Sequence, residues 1–271
     1  MIRTRWAVKP RSGVAVDRSN PIGGRLMAAW LFDQGCPPID AVRGVVGTFS
    51  AAGADWAGED LILNGSQYGN LLGSSDTRRN IGAAQSFTLA FGARLTPTSG
   101  GNYSCIVGTA LNGLTQGWGL LQAPSGDGSK VYFQFVDGTN DVNSYGSPGF
   151  AADSTFHHFA VVLDRRSSTL RLAVDGAQVA SVSSASLGSI TPPGGAFAGF
   201  RDTPIATRLR YAYLIDDALP AAQLRSIQAD PYQVFARPRA PLYAATATAT
   251  SAAPPWFLQS DLSGGLLTMG M

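Results

Sequence analysis

Two histidines and a single glutamate are all that this 271-residue chain sets beside its aspartates for proton transfer or metal ligation. His157 and His158 are neighbours in an apolar run. Adjacent side chains on a strand point to opposite faces, so the two cannot act on one ligand. That argues against zinc, which needs convergent ligands. A Ser-His-Asp arrangement lacks its serine, since no G-x-S-x-G elbow occurs. Glycoside hydrolysis takes two carboxyl groups flanking the scissile bond. Glu59 has no second glutamate, which leaves the pairs Asp137/Asp141 and Asp216/Asp217. Asp216 and Asp217 are adjacent, would point apart on a strand, and fit turn positions. No P-loop or dinucleotide fingerprint appears. The expectation is a protein that is not an enzyme and needs no cofactor.

Binding makes smaller demands. A sugar is held by an aromatic ring stacked on its C–H face and by Asn or Asp bonded to its hydroxyls. Trp118, Tyr132, Asn140, Asp141, Asn143 and Tyr145 cluster in mid-chain and could supply both. The same aromatics would serve a core equally well, so glycan binding ranks second here. Charged residues make up 14% of the chain, well below the usual quarter, and the net charge is only +2. A surface so poor in charge suits a protein covered by partners. The charge is unevenly placed: Arg3, Arg5, Lys9, Arg11, Arg18 and Arg25 face Asp17 alone in the first 26 residues. A basic segment of this kind suits an acidic protein surface; without a nucleic-acid module, nucleic acid is not the expected partner. No apolar segment resembles a secretory signal or a membrane span, so synthesis in a cytoplasm without the usual export is expected. Cys36 and Cys105 stand far apart and read as reduced thiols.

The elements that must position these residues are strands. From Thr155 to Val182, Phe156 to Leu163 alternates with apolar residues on both faces, predicting a strand covered on both sides. Leu170, Leu172 and Val174 form a second strand, Asp175-Gly176 suits a type I′ hairpin turn, and Ala177–Val182 returns as a third. Further short strands are predicted at Leu26–Asp33, Phe87–Arg94, Cys105–Gly108, Gly117–Gln122, Lys130–Val136, Gly195–Gly199 and Leu209–Ile215. One short helix is predicted near 218–228, stopped by Asp230-Pro231. The expected organisation is a basic extended arm over 1–25, a sandwich over 26–235 and a low-complexity, partly apolar arm over 236–271.

Three stretches resemble the LamG-like, concanavalin A-like jelly-roll family. TFHHFAVVLD with LRLAVDGAQVA is similar to its "W-H-H-V-A…L-x-L-Y-V-D-G", Phe156 and Ala173 standing where Trp and Tyr are common. SFTLAFGAR from Ser86 is similar to its "S-F-T-x-x-x-W" strand, Phe91 and Gly92 departing from it. LRYAYLIDDALPAAQL from Leu209 is similar to its closing strand and short helix. The resemblance covers roughly residues 26 to 230 and implies an all-β jelly-roll sandwich. The opening at Thr4 and the exit Asp230-Pro-Tyr-Gln-Val-Phe resemble family members in tailed-phage particles. That implies a virion component, assembled in the host cytoplasm, with other virion proteins and further copies of itself as partners.

The resemblance orders the functional readings. First comes a minor capsid or decoration protein gripping its neighbours through Arg3, Arg5, Trp6, Trp256, Phe257, Leu262 and Leu267. Second comes a carbohydrate-binding adhesin at the tail, using Trp118, Tyr132, Asn140, Asp141 and Tyr145 on a surface glycan. A hydrolase comes last, because the glucanases on this scaffold carry a motif resembling E-x-D-x-x-E that one glutamate cannot build. Lectin-like relatives hold calcium with loop carboxylates, for which Asp33, Asp175 and Asp216 are the candidates, although turn formation explains each without metal.

Overall fold

The computed structural model describes residues 9–10, 14–32, 37–49, 55–57, 60–64, 69–97, 103–109, 116–145, 150–200 and 206–236. Arg3, Arg5, Trp6, Asp33, Cys36, Trp256, Phe257, Leu262 and Leu267 lie outside the described residues.

The strands in chain order are β1 (Leu26–Leu31), β2 (Thr48–Phe49), β3 (Asp55–Ala57), β4 (Asp60–Asn64), β5 (Gly69–Leu72), β6 (Phe87–Leu95), β7 (Ser104–Gly108) and β8 (Gly117–Gln122). They continue with β9 (Lys130–Val136), β10 (Asp141–Asn143), β11 (Phe150–Ala151), β12 (Phe156–Asp164), β13 (Thr169–Val174), β14 (Ala177–Ser183), β15 (Ala196–Phe200) and β16 (Ala206–Ile215). They form two antiparallel sheets. The first runs β14-β13-β12-β6-β16-β4-β3, with β1 also on β16; the second runs β10-β9-β8-β7-β15-β5-β2, with β11 also on β9. This is the all-β jelly-roll sandwich that the sequence predicts.

The alternation in β12 decides how the first sheet is used. Phe159, Val161 and Leu163 enter the core between the sheets with Phe87, Leu89 and Phe91. Trp118, Leu120, Val131, Phe133 and Phe135 meet them from the second sheet. Phe91 and Phe159 are directly paired across the strands, and their rings stack with centroids 5.3 Å apart. Ala160 and Val162 point the other way, into an outer apolar layer with Tyr211, Tyr213, Leu224 and Ile227. The strand is covered on both faces, as its composition requires. Asp175 and Gly176 take φ of 49° and 72°, the left-handed pair that a type I′ turn needs.

The helix α1 (Ala221–Ala229) supplies the cover. It starts after the predicted position because Pro220, at ψ 158°, is still extended and acts as the N-cap. Tyr232, Val234 and Phe235 carry the chain on over the same layer. Residues 14–25, expected to belong to an extended arm, are part of this cover instead. Val16 bridges to Phe235, the Asp17 N–H donates to the Val234 carbonyl at 2.8 Å, and Ile22 keeps only 3% of its surface. Lys9 donates to the Phe32 carbonyl at 2.6 Å, Arg18 donates to the Gly23 and Leu26 carbonyls, and Arg25 pairs with Asp217. Half of the basic residues read as an arm are therefore bound within the domain.

At Gly92, where the resembling strand pattern carries Trp, a Cβ would stand 2.6 Å from the Tyr211 ring and 2.7 Å from that of Phe156. Those rings occupy the volume that the glycine leaves. A buried polar link ties the loops to the sheets. Asp40, fully buried, accepts the Ala29 and Val42 N–H groups and pairs with Arg78, which also binds Asp76 and the Met27 carbonyl. Arg79 donates to the carbonyls of Ser74, Pro192 and Gly194.

Candidate functional site

The cavity beneath α1, beside His158 and Tyr211, has a volume of about 10 Å³, space for roughly one water and not for a sugar. The surface is the next place for a site. The first sheet's outer face is covered by α1 and the segments beside it, so the outer face of the second sheet is the open candidate.

Strand β9 sorts its side chains by parity. Val131, Phe133 and Phe135 go to the core, which sends Tyr132 and Gln134 outward. Tyr132 pairs across the sheet with Leu121, and Leu121 with Cys105, so an outward strip crosses β9, β8 and β7. Tyr103, just before β7, and Tyr145, just after β10, close over it. The three tyrosine rings meet edge to face, at 6.0 Å for 103–132, 5.9 Å for 103–145 and 5.3 Å for 132–145. Tyr132 is the floor, keeping 6% of its surface, while Tyr103 and Tyr145 are half-buried above it.

Local hydrogen bonds hold the rings. The Tyr145 N–H donates to Asn143 Oδ1 at 3.2 Å, an Asx turn that swings the ring back over the sheet. Ser144 fixes the strand below by accepting the Phe133 N–H at 3.1 Å. Asp127 and then Tyr103, beside the Tyr145 hydroxyl, raise its pKa. Burial raises that of Tyr132. Polar groups border the rings. Asp141 accepts the Gln134 amide at 2.8 Å on Oδ2 and the Asn143 amide at 3.2 Å on Oδ1, and Lys130 donates to the Tyr145 carbonyl at 3.4 Å.

Three candidates from the sequence, Tyr132, Asp141 and Tyr145, thus come together. Trp118 does not join them and is corrected to a core residue. Its parity on β8 points it inward, it has no exposed surface, and its indole N–H donates to the Arg79 carbonyl at 2.7 Å. It packs on Phe87 at 5.1 Å and can stack no ligand. Asn140 serves a different purpose: its amide donates to Asp137 Oδ2 at 3.1 Å and to the Ser186 carbonyl at 2.8 Å. Sequence reasoning missed Tyr103, Asp127 and Gln134. For Gln134 a signal existed, since it is the polar residue that marks the outward parity of VYFQFV.

The other titratable groups are engaged in turns. Asp137 accepts the N–H groups of Thr139, Asn140 and Gly188 besides the Asn140 amide. Desolvation opposes its charge, but these donors hold its carboxyl well below the usual carboxylate range, which suits an anchor and not an acid–base group. His157 sits between carboxylates: Nδ1 lies 2.6 Å from Asp175 and Nε2 lies 3.1 Å from Asp153. Burial works against its charge, yet Asp175 and Asp153 raise its pKa overall. Thr155 Oγ1 lies 2.5 Å from Nε2, but that hydroxyl also donates to Asp153 at 2.8 Å. Asp153 thus competes for both partners, unlike in a triad, where the base alone faces the hydroxyl. His158 faces the other way, toward Tyr211, and burial pushes its pKa down to about 4. Of the calcium candidates, Asp175 also accepts the His158 N–H at 2.9 Å and Asp216 accepts the Gln85 amide at 2.6 Å. Among the described residues, no group of three or more His, Cys, Asp or Glu side chains is placed to hold a metal.

Residues 64–218 match the model of a family described as the concanavalin A-like lectin/glucanases superfamily. No curated protein matches the chain. Among solved structures, the botulinum neurotoxin serotype G binding domain is similar at 13% identity and a TM-score of 0.56, over 75% of this chain and 50% of that one. A structure of botulinum neurotoxin type C, whose cell entry is described as dependent on interaction with two ganglioside molecules, is similar at 12% identity and 0.57, over 79% and 52%. The serotype D ligand binding domain in complex with N-acetylneuraminic acid is similar at 12% identity and 0.57, over 79% and 52%. The chain spans about half the length of these structures, and at such identity the likeness is one of fold.

Proposed function

Because the chain belongs to the concanavalin A-like lectin/glucanases superfamily, we propose that it is a non-catalytic glycan-recognition module that binds through the tyrosine cluster on its second sheet. One observation carries the reading: Tyr103, Tyr132 and Tyr145 lie in mutual edge-to-face contact, bordered by Asp127, Asp141, Gln134 and Asn143. Rings held this way lose little freedom when a pyranose stacks its C–H face on them. The surrounding carboxylates and amides then meet the sugar hydroxyls. The saturated Asp137 and the carboxylate-flanked His157 both fit a scaffold better than a reaction centre.

The experiment is an array of immobilised oligosaccharides probed with the full chain and with the Tyr103→Ala and Tyr145→Ala variants. Saturable binding by the parent, weakened by about tenfold in each variant with far-UV CD unchanged, is expected. A parent that binds nothing, or variants that bind like the parent, would sink the proposal.

A second reading concerns where the module works. The resemblance of the opening at Thr4 and of the exit Asp230-Pro-Tyr-Gln-Val-Phe to proteins of tailed-phage particles favours a virion component displayed to meet a host glycan, and low charge with the apolar residues Trp256, Phe257, Leu262 and Leu267 suits attachment to neighbouring subunits. Deleting residues 244–271 should then stop incorporation into particles while the sandwich still folds; normal incorporation would count against it.

A further inference from the structure

Resting on the glycan-recognition reading, we infer that the tyrosine cluster selects uncharged sugars presenting two adjacent hydroxyls and turns away sugars carrying a carboxylate. Asp141 is the group that distinguishes them. It is exposed, and each of its oxygens has taken one side-chain amide, Gln134 on Oδ2 and Asn143 on Oδ1. A carboxylate oxygen accepts two hydrogen bonds, so these amides orient the group and leave one accepting direction on each oxygen. Two hydroxyls on neighbouring ring carbons of a sugar match that pair, and an O–H donated to a carboxylate is a strong, charge-assisted bond.

The second negative group acts in the same sense. Asp127 is exposed and near enough to the Tyr145 hydroxyl to raise its pKa, which brings a negative charge to the edge of the ring on which a sugar would stack. Lys130, a cation of the same strip, is engaged through its amine with the Tyr145 carbonyl at 3.4 Å. A ligand carboxylate set between Asp127 and Asp141 would meet like charge on two sides, in a place where the rings have removed part of the water. This is the reverse of the ligand in the serotype D complex, N-acetylneuraminic acid, an acidic sugar. The shared fold would then carry opposite charge preferences on different surface residues.

The test uses the full chain against oligosaccharides printed in pairs, with and without a terminal N-acetylneuraminic acid, with affinities of the best pairs measured by biolayer interferometry. The neutral member is expected to bind at least about tenfold more tightly. Asp141→Asn is expected to weaken the neutral ligand by about tenfold or more, and Asp127→Asn to narrow the gap between the members of each pair. Far-UV CD and the melting temperature of both variants serve as the check on folding, which substitution at exposed carboxylates should preserve. Equal or better binding of the acidic members, lost on Tyr145→Ala, would overturn the charge preference and leave the glycan-recognition reading in place. Unaltered neutral binding by Asp141→Asn would overturn the diol assignment. Absence of binding to any sugar would overturn this inference together with the reading beneath it.

Discussion

Replacing Trp118 tests whether this side chain holds the sandwich together or meets a ligand. Its ring has no exposed surface, packs on Phe87 at 5.1 Å and donates its indole N–H to the Arg79 carbonyl at 2.7 Å. Truncation to alanine removes a large buried ring from a site held by two sheets and should cost about 3–5 kcal/mol. The stranded Arg79 carbonyl falls within that figure, because the cavity would let water reach it. Trp118→Phe keeps a ring against Phe87 and removes mainly the donor, so about 1–3 kcal/mol is expected. A typical domain has roughly 5–15 kcal/mol in hand, and Trp118→Ala should leave a folded but fragile protein. Urea unfolding followed by far-UV CD reads both values, since fluorescence would change with the loss of the tryptophan itself. Glycan affinity of the folded fraction should be unaltered. A Trp118→Ala variant that is as stable as the parent, or that keeps its stability and loses its ligand, would refute the assignment to the core.

Two further outcomes follow from groups already placed. His157 has its folded pKa raised above the unfolded value, so its contribution is full below the unfolded pKa and fades as pH rises through the folded one; the melting-temperature gap between parent and His157→Gln should be wide near pH 6 and close by about pH 9, and a gap constant with pH would contradict this. Gly92→Ala should cost about 1–3 kcal/mol in urea unfolding, because its Cβ would stand 2.6 Å and 2.7 Å from the Tyr211 and Phe156 rings and Tyr211 is fully buried; a neutral result would mean that the rings shift freely.

The parts of this molecule that could be read from the sequence are those in which one short segment carries both its pattern and its punctuation. The β12–β13–β14 meander is such a case, with period-2 apolar residues interrupted by Asp175-Gly176. Strands of two or three residues, such as β2, β3 and β11, have no period to show, because their neighbours in the sheet define them. Trp118 was misplaced for a related reason. Glycines flank it, and the one polar residue of β8, Gln122, shares its parity and so points the wrong way: Gln122 is itself buried and donates to the Thr96 carbonyl, and the inward aim of both depends on how β8 registers with β7 and β9. Tyr132 could be placed because Gln134, two residues on, shares its face. Tyr103 reaches the cluster from the start of β7, across β8 from Tyr132, a contact set by sheet order that no local signal carries. Similarly, Lys9, Arg18 and Arg25 looked like a free basic segment because the carbonyls and carboxylate that receive them lie in other parts of the chain.

The order of strands in the first sheet also governs how the chain can be made. Its middle strand, β6, needs β12 on one side and β16 on the other, and β16 in turn holds β1, the earliest strand, and β4. A growing chain can pair β4 with β3 early, but β6 waits for β12 and β1 waits for β16, the last strand of the sheet. The core cannot form until the segment ending at Ile215 has been released. Such long-range closure makes for slow folding and a long interval in which Phe87–Leu95 can stick to other chains. Productive folding thus waits on the joining of β1 and β6 to strands made much later, and the yield of native protein in the cell should depend on temperature and chaperone occupancy as well as on native stability.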